Sequence, residues 1–195
     1  MTKDEEYTRR LLRAQGSRWK RLLDVQAPYR WNLRRLRPGF TLEIGCGVGR
    51  NLSHLRGAGI GVDHNPHSVN ACRQSGFIAF TPEEFRRSQH NAGARFDAML
   101  LSHVAEHMTF AEFVQLIREY VPLLKSDGRI IVMTPQEAGF RSDPTHVEFF
   151  DLEKIRAAVE QVGFSPVREY SFPFPRLVGR IFHYNEFVSV SRRRN

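Results

Sequence analysis

A short apolar strand that runs into a glycine turn and then a helix, Leu42-Glu43-Ile44-Gly45-Cys46-Gly47-Val48-Gly49-Arg50-Asn51, leaves this chain few folds to choose from. Glycine at 45, 47 and 49 lets the backbone take positive φ and approach a ligand with no Cβ in the way. From Phe40 onward strand and helix patterns alternate, with strands expected near 41–44, 60–63, 77–80, 96–101 and 128–134. That alternation predicts an α/β, doubly wound sheet. Thr109 and Glu112 form a T-x-x-E capping box, and Phe110, Phe113, Val114, Ile117, Val121 and Leu124 follow at helical spacing, so a helix is expected over 109–124. A second helix starts at the Asp151 cap, runs through Leu152, Ile155, Val159 and Val162, and stops at Gly163. Two further strands are expected over 166–171 and 182–190, separated by a Pro-rich loop. Residues 5–37 read as a helical extension in two pieces, broken near Ala27-Pro28, with Leu11, Leu12, Trp19, Leu22, Leu23, Trp31, Leu33 and Leu36 as its apolar positions. The division expected is therefore a basic extension over 1–38 and one domain over 39–195.

Glu43 decides between two kinds of ligand. A pyrophosphate would be repelled by a carboxylate at the end of the first strand, whereas S-adenosylmethionine carries a sulfonium, an ammonium and no phosphate. The third glycine also comes one residue too early for the dinucleotide pattern G-x-G-x-x-G. The run Glu43-x-Gly45-x-Gly47-x-Gly49 resembles motif I of the class I S-adenosylmethionine-dependent methyltransferases. Three ordered segments extend the resemblance over residues 40–165. They are Gly61-Val62-Asp63, the stretch from Phe96 to His107 with its His-Val-x-Glu-His signature, and the stretch from Leu123 to Val132.

The resemblance implies a Rossmann-like seven-stranded sheet in the order 3-2-1-4-5-7-6, with the last strand antiparallel. It also implies a cofactor site in which Glu43, Gly45, Cys46, Gly47 and Asn51 surround the methionine end, the Cys46 thiol lining the site. Asp63 would take the ribose hydroxyls and His64 would lie beside the adenine. Thr81 to Glu84, with Thr81 and Glu83 foremost, would add adenine contacts, and Ser102 and His103 would close the site from the fourth strand.

Methyl transfer from a sulfonium is an in-line displacement, and a hydroxyl nucleophile must also lose a proton. His103, His107 and His146 compete for the role of base. His103 and His107 belong to the signature after the fourth strand, where a structural role suits His107 best. His146 lies in Asp143-Pro144-Thr145-His146-Val147-Glu148, beyond the fifth strand at the carboxyl edge of the sheet, where ligands bind in open α/β folds. An imidazole there can accept a hydroxyl proton at neutral pH. The catalytic set expected is His146, Asp143 and His103. The alternative for Asp143, His146 and Glu148 is a divalent cation, Mg²⁺ above all. The Asp-Pro-Thr-His loop and the chain length resemble small actinobacterial sugar O-methyltransferases, including those acting on the reducing-end hydroxyl of methylmannose polysaccharide. The acceptor implied is a carbohydrate or glycoside, with a small-molecule acceptor of secondary metabolism as the alternative.

The chain of 195 residues is large enough for one core and too short for a second catalytic domain, which argues against a two-domain dehydrogenase. No apolar run suits a transmembrane segment, and the expected location is the cytoplasm. Two cysteines, Cys46 and Cys72, make a structural disulfide or a thiolate zinc site an unpromising reading. The net charge of +8 sits at the ends: residues 1–40 hold eleven Lys or Arg against four acids, and Arg192, Arg193 and Arg194 follow at the other end. Basic ends allow a nucleic-acid, anionic-lipid or acidic partner, although arginines solvating an accessory helix explain them as well. An RNA methyltransferase is accordingly the lesser reading, since Leu101-Ser102-His103-Val104 stands where many base N-methyltransferases carry Asn/Asp-Pro-Pro-Tyr/Phe. A scaffold that kept only the fold and a homodimer contact complete the alternatives.

Overall fold

The computed structural model describes Glu5, Thr8 and residues 24–194; Leu11, Leu12, Trp19, Leu22 and Leu23 of the expected first helical piece lie outside the described residues. Two compact units, Met1–Asn91 and Ala92–Asn195, divide the chain. The strands are β1 (Thr41–Ile44), β2 (Gly59–Val62), β3 (Ala79–Phe80), β4 (Phe96–Ser102), β5 (Leu124–Pro135), β6 (Phe164–Phe172) and β7 (Glu186–Arg193). They form a seven-stranded sheet in the order β3-β2-β1-β4-β5-β7-β6, and β7 runs antiparallel to both neighbours, as the resemblance implied.

In the first unit every residue of β1 is buried, and Glu43 pairs in register with Gly61 of β2. Three helices follow the strands: α2 (Arg50–His54), α3 (Pro66–Gln74) and α4 (Pro82–Arg87), preceded by α1 (Ala27–Arg35). Helix α1 begins at the expected break because Pro28 fits the first turn, where its missing N–H costs nothing. Its Leu33 is buried, and Arg34 Nε donates to His54 O at 2.7 Å, tying the extension to the end of α2. Asn65 caps α3 and Thr81 caps α4 through a reciprocal box with Glu84. Cys46, Leu52, Val69, Cys72 and Ala79 make a small core here, with Phe77 packed against it.

The second unit carries α5 (Phe110–Tyr120), α6 (Glu137–Arg141) and α7 (Leu152–Glu160). The Thr109–Glu112 box starts α5 as expected, and Phe113, Val114, Ile117 and Tyr120 are buried. Phe113 meets Phe150 edge-on at 5.1 Å. Each such fully buried side chain contributes on the order of 1.5–3 kcal/mol. The helix stops at Tyr120 and a 3₁₀ turn takes over through Val121–Leu123, because Pro122 has no N–H to continue the ladder.

Residues 182–185, expected to open the last strand, are instead a loop. Phe182 N donates to Val178 O at 2.8 Å, and a buried side-chain hub at Asn185 displaces strand pairing until Glu186. The three terminal arginines are not a free basic arm. Arg192 and Arg193 pair within the sheet, Arg193 lies over the Phe164 ring at 5.1 Å, and Arg194 meets Ser165 Oγ at 2.6 Å and Glu160 at 2.8 Å.

Candidate active site

The first unit builds a glycine turn around one buried carboxylate. Gly45, Gly47 and Gly49 have φ of 74°, 52° and 83°, so the backbone curls through a region that side chains disfavour. At Gly49 a Cβ would also lie 2.8 Å from Cys72 Sγ and 2.9 Å from Phe77 Cδ2. The turn is fastened to the end of β2: Gly47 N–H donates to Asp63 Oδ2 at 2.8 Å, while Asp63 Oδ1 accepts from Asn65 N at 2.9 Å. His64, almost fully exposed, lies 3.7 Å from Asp63. Thr8, from the extension, is buried beside the same loop, where Asn65 Nδ2 donates to its Oγ1 at 3.2 Å and its Oγ1 is 3.0 Å from Ser68 Oγ.

Glu43 is the informative member of this group. Asn51 Nδ2 donates to its Oε1 at 2.8 Å, but Oε2 is buried and has no hydrogen-bond partner. Burial pushes its pKa up to about 8, and the Asn51 hydrogen bond only partly opposes this. A buried acid with an orphan oxygen next to a glycine turn fits the cationic ammonium of S-adenosylmethionine, whose positive charge would favour loss of the Glu43 proton on binding. The described residues therefore fit that cofactor.

Cys46 departs from expectation. Its thiol packs into the core cluster, so close to β2 that a Cβ on Gly61 would sit 2.5 Å from it, and it does not line the turn. Both cysteines are free and buried. The hydrogen bond with Cys72, reinforced by burial, holds the Cys46 thiol protonated. Only the Cys46 backbone is left to serve a ligand. Thr81 spends its hydroxyl on the α4 cap and Glu84 pairs with Arg73 at 2.7 Å, while Glu83 is exposed in the first turn of α4. The reciprocal Thr81–Glu84 capping box is the stronger reading of those residues.

The second unit gathers a different set. Ser102 ends β4 and is buried; His103 follows with φ 58°, its N–H bonded to Met133 O at 2.9 Å. This left-handed residue turns the chain so that the His103 ring lies between two carboxylates, with Nδ1 3.2 Å from Glu106 Oε1 and Nε2 2.8 Å from Glu186 Oε1. Burial works against its charge, but the ring is still 32 % exposed and the two hydrogen-bonded carboxylates win, raising the pKa to about 10. At neutral pH His103 is an imidazolium with no lone pair, which corrects its candidacy as a base. Glu106 stood in the quoted signature without a role. Glu186, 83 positions from His103, carries no local signal that could have linked them.

His146 lies in the loop between α6 and α7. Its Nδ1 is 2.7 Å from Phe140 O. A carbonyl can only accept, so Nδ1 carries the proton and Nε2 holds the lone pair. The ring stacks on Phe140 at 5.2 Å and meets His107 edge-on at 4.9 Å. Asp143 and Glu148 do not join it as ligands. Asp143 Oδ1 accepts from Thr145 N at 3.0 Å and Thr145 Oγ1 at 2.7 Å, so it shapes the loop. Glu148 spends one oxygen on Lys154 Nζ at 2.8 Å and the other on Phe110 N at 2.7 Å. The expected Mg²⁺ trio of Asp143, His146 and Glu148 is thus dispersed by competing hydrogen bonds; the donor atoms that do lie together belong to Glu106, His107 and His146.

Residues 9–169 match a family described as a methyltransferase domain. No match was found among curated proteins. Among solved structures, the chain is similar to a SAM-dependent methyltransferase from Archaeoglobus fulgidus at 20% identity and a TM-score of 0.67, covering 85% of this chain and 93% of that one. It is similar to magnesium protoporphyrin IX methyltransferase from Synechocystis PCC 6803, solved with bound SAM, at 16% identity and a TM-score of 0.61, covering 100% and 99%. A Haloferax volcanii methyltransferase complexed with the Trm112 methyltransferase activator matches at 15% identity and a TM-score of 0.67, covering 94% and 97%. At these identities the solved structures speak to the fold.

Proposed function

Because the chain belongs to the methyltransferase-domain family and is an S-adenosylmethionine-dependent methyltransferase, we propose that it methylates a hydroxyl oxygen of a carbohydrate or glycoside, with His146 as the group that takes the proton. The observation that carries this reading is the His146 Nδ1 contact with Phe140 O at 2.7 Å, which leaves Nε2 as a basic atom on a half-buried ring. S-adenosylmethionine supplies, when bound, a methyl group on a positively charged sulfur. Glu43 binds the ammonium, Asp63 takes the ribose hydroxyls, and the glycine turn lets the backbone close on the ligand. Gly45, the Cys46 backbone, Gly47, Asn51 and His64 complete the proposed cofactor set in the first unit. The Asp143 carboxylate holds the Thr145–His146 turn in place, so it positions the base. Phe140 and Phe149, 5.3 Å apart, and the exposed Phe174 and Tyr184 offer faces on which a sugar ring can stack. Thr8, packed beside the loop after β2, adds a contact at the cofactor end.

His146→Ala is expected to lower turnover by about 10²-fold or more with a panel of mannosides and glucosides while cofactor affinity by calorimetry stays unchanged. Near-normal turnover would remove His146 as base, and turnover confined to non-sugar alcohols would move the acceptor to the small-molecule class. A second reading, RNA, draws on a groove lined by Arg30, Trp31, Arg34, Arg35 and Arg37. Trp31 is 55 % exposed, and Arg35 lies 5.0 Å over its ring. Arg30 is nevertheless paired with Asp24 and Arg34 with His54 O, which weakens this surface as a polyanion site. RNA binding that falls steeply with salt would be needed to revive it.

A further inference from the structure

We infer that Glu106, His107 and His146 form a site for a divalent transition-type cation of the Zn²⁺ or Co²⁺ class, with coordination positions left open for an oxygen ligand. One ligand atom from each of the three lies within 4.8 Å of the others. Glu106 is only 1 % exposed, and its Oε2 is buried without a hydrogen-bond partner. Leaving such an oxygen unsatisfied is costly, and a cation removes that cost. Oε1 of the same carboxylate is already engaged by His103, so Oε2 is the donor that remains.

His146 Nδ1 faces Phe140 O at 2.7 Å, so its proton sits on Nδ1 and Nε2 is presented, the arrangement in which a backbone carbonyl orients a ligating imidazole. His107 Nδ1 has only long contacts, with Thr145 O and Thr145 Oγ1 at 3.4 Å each, and its ring is free to turn toward an ion. The loop is fastened to the turn that bears the other two ligands: Val147 N donates to Glu106 O at 2.7 Å. With bonds of about 2.0–2.1 Å, donors around a tetrahedral ion stand roughly 3.4 Å apart, so closing from 4.8 Å takes a little over 1 Å of side-chain rotation. His107 and His146 are only half-buried and can supply it.

Two imidazoles and one carboxylate favour Zn²⁺, Co²⁺ or Fe²⁺ over Mg²⁺, which seeks oxygen donors. The role of the site rests on the oxygen-acceptor reading above: an open position would take the acceptor hydroxyl, whose pKa the ion would lower so that its proton passes to solvent water, with His146 ligating the ion in the loaded chain and taking the proton itself only in the metal-free one. Binding itself does not depend on that reading.

The test is a Co²⁺ titration of the untagged chain followed by visible absorption, with Zn²⁺ and Mg²⁺ as competitors. One Co²⁺ per chain is expected, displaced by Zn²⁺ and unaffected by millimolar-range Mg²⁺. His146→Ala and His107→Gln, both at half-buried positions, are expected to weaken it by about 10–100-fold or more, and Glu106→Gln likewise where circular dichroism shows it folded. No saturable absorption, or equal binding by the folded histidine variants, would overturn the site. If the metal fails to bind and His146→Ala still abolishes sugar methylation, the metal inference falls and the base reading stands. If the metal binds and no hydroxyl acceptor is methylated, the acceptor reading falls alone.

Discussion

Replacing Glu43 with Gln is expected to turn a nearly flat pH dependence of stability between pH 4.5 and 6.5 into a rising one. In the folded ligand-free chain Glu43 titrates at about 8 against 4.5 when unfolded, a gap of about 3.5 that corresponds to at most ~5 kcal/mol. His54 moves the other way, because burial, with help from Arg50, Arg30 and Arg34, holds its pKa down at about 4 against 6.5. His103 is raised from 6.5 to about 10. Between pH 4.5 and 6.5 the folded state holds the Glu43 proton while the unfolded state holds the His54 proton. The two cancel and wild-type stability is nearly flat. From 6.5 to 8 the folded state keeps protons on both Glu43 and His103 that the unfolded state has lost. Stability then falls as pH rises, by up to ~2.7 kcal/mol per pH unit, an upper limit because the His103 ring is partly exposed. Above 8 only the His103 part continues. In Glu43→Gln the His54 contribution is unopposed, so stability rises with pH from about 4 to 6.5 by ~1.4 kcal/mol per unit, and the fall from 6.5 to 8 is roughly halved. The ion-paired Glu84, Glu137 and Glu148, whose pKa values are lowered, act below this window, where their contribution is lost as pH falls. Urea unfolding in half-unit steps from pH 4.5 to 8 reads both slopes. A wild type that gains stability from 6.5 to 8, or a variant with the wild-type slope, would refute the reasoning.

The same carboxyl group links cofactor binding to proton release. Calorimetry of S-adenosylmethionine binding at pH 7 in two buffers of different ionisation enthalpy should show close to one proton released, and Glu43→Gln should release none. Gly49→Ala should cost about 2–3 kcal/mol in urea unfolding, since φ is +83° and the new Cβ meets Cys72 Sγ at 2.8 Å; a cost under half a kcal/mol would mean that the turn yields freely. Asn185→Ala strips partners from buried Gln136 Oε1, from Ser171 Oγ and from Phe174 N, at 3.1, 2.9 and 2.9 Å. About 3 kcal/mol of stability should be lost, with cofactor affinity retained by calorimetry.

Local chemistry made much of this protein readable in advance. The glycine turn after β1, the Thr109–Glu112 box, the Asp151 cap and the alternation of apolar strands with amphipathic helices are each written over short spans; the alternation pointed to a doubly wound sheet, and the ordered motifs carried the family resemblance that implied the strand order. The Glu43–Asn51 contact and the attachment of Asp63 to Gly47 add detail to a site that motif spacing had already marked. What escaped were partnerships between distant positions. Nothing around Glu186 announces that it will bind His103, yet that contact turns a candidate base into a fixed cation. Cys46 was misjudged because its thiol packs into the core beside Cys72, a partner 26 positions away. Asp143 and Glu148 look like ligands beside His146 until nearer donors, Thr145, Lys154 and Phe110 N–H, claim their oxygens. Sequence by itself determined the elements, their order and the chemistry of the glycine turn, because those depend on dihedral preference, caps and periodicity over short spans. Only the tertiary structure decided which carboxylates remain free, which imidazole is charged and which donor atoms converge, because charge state and ligand geometry are set by neighbours that the chain brings together from far apart.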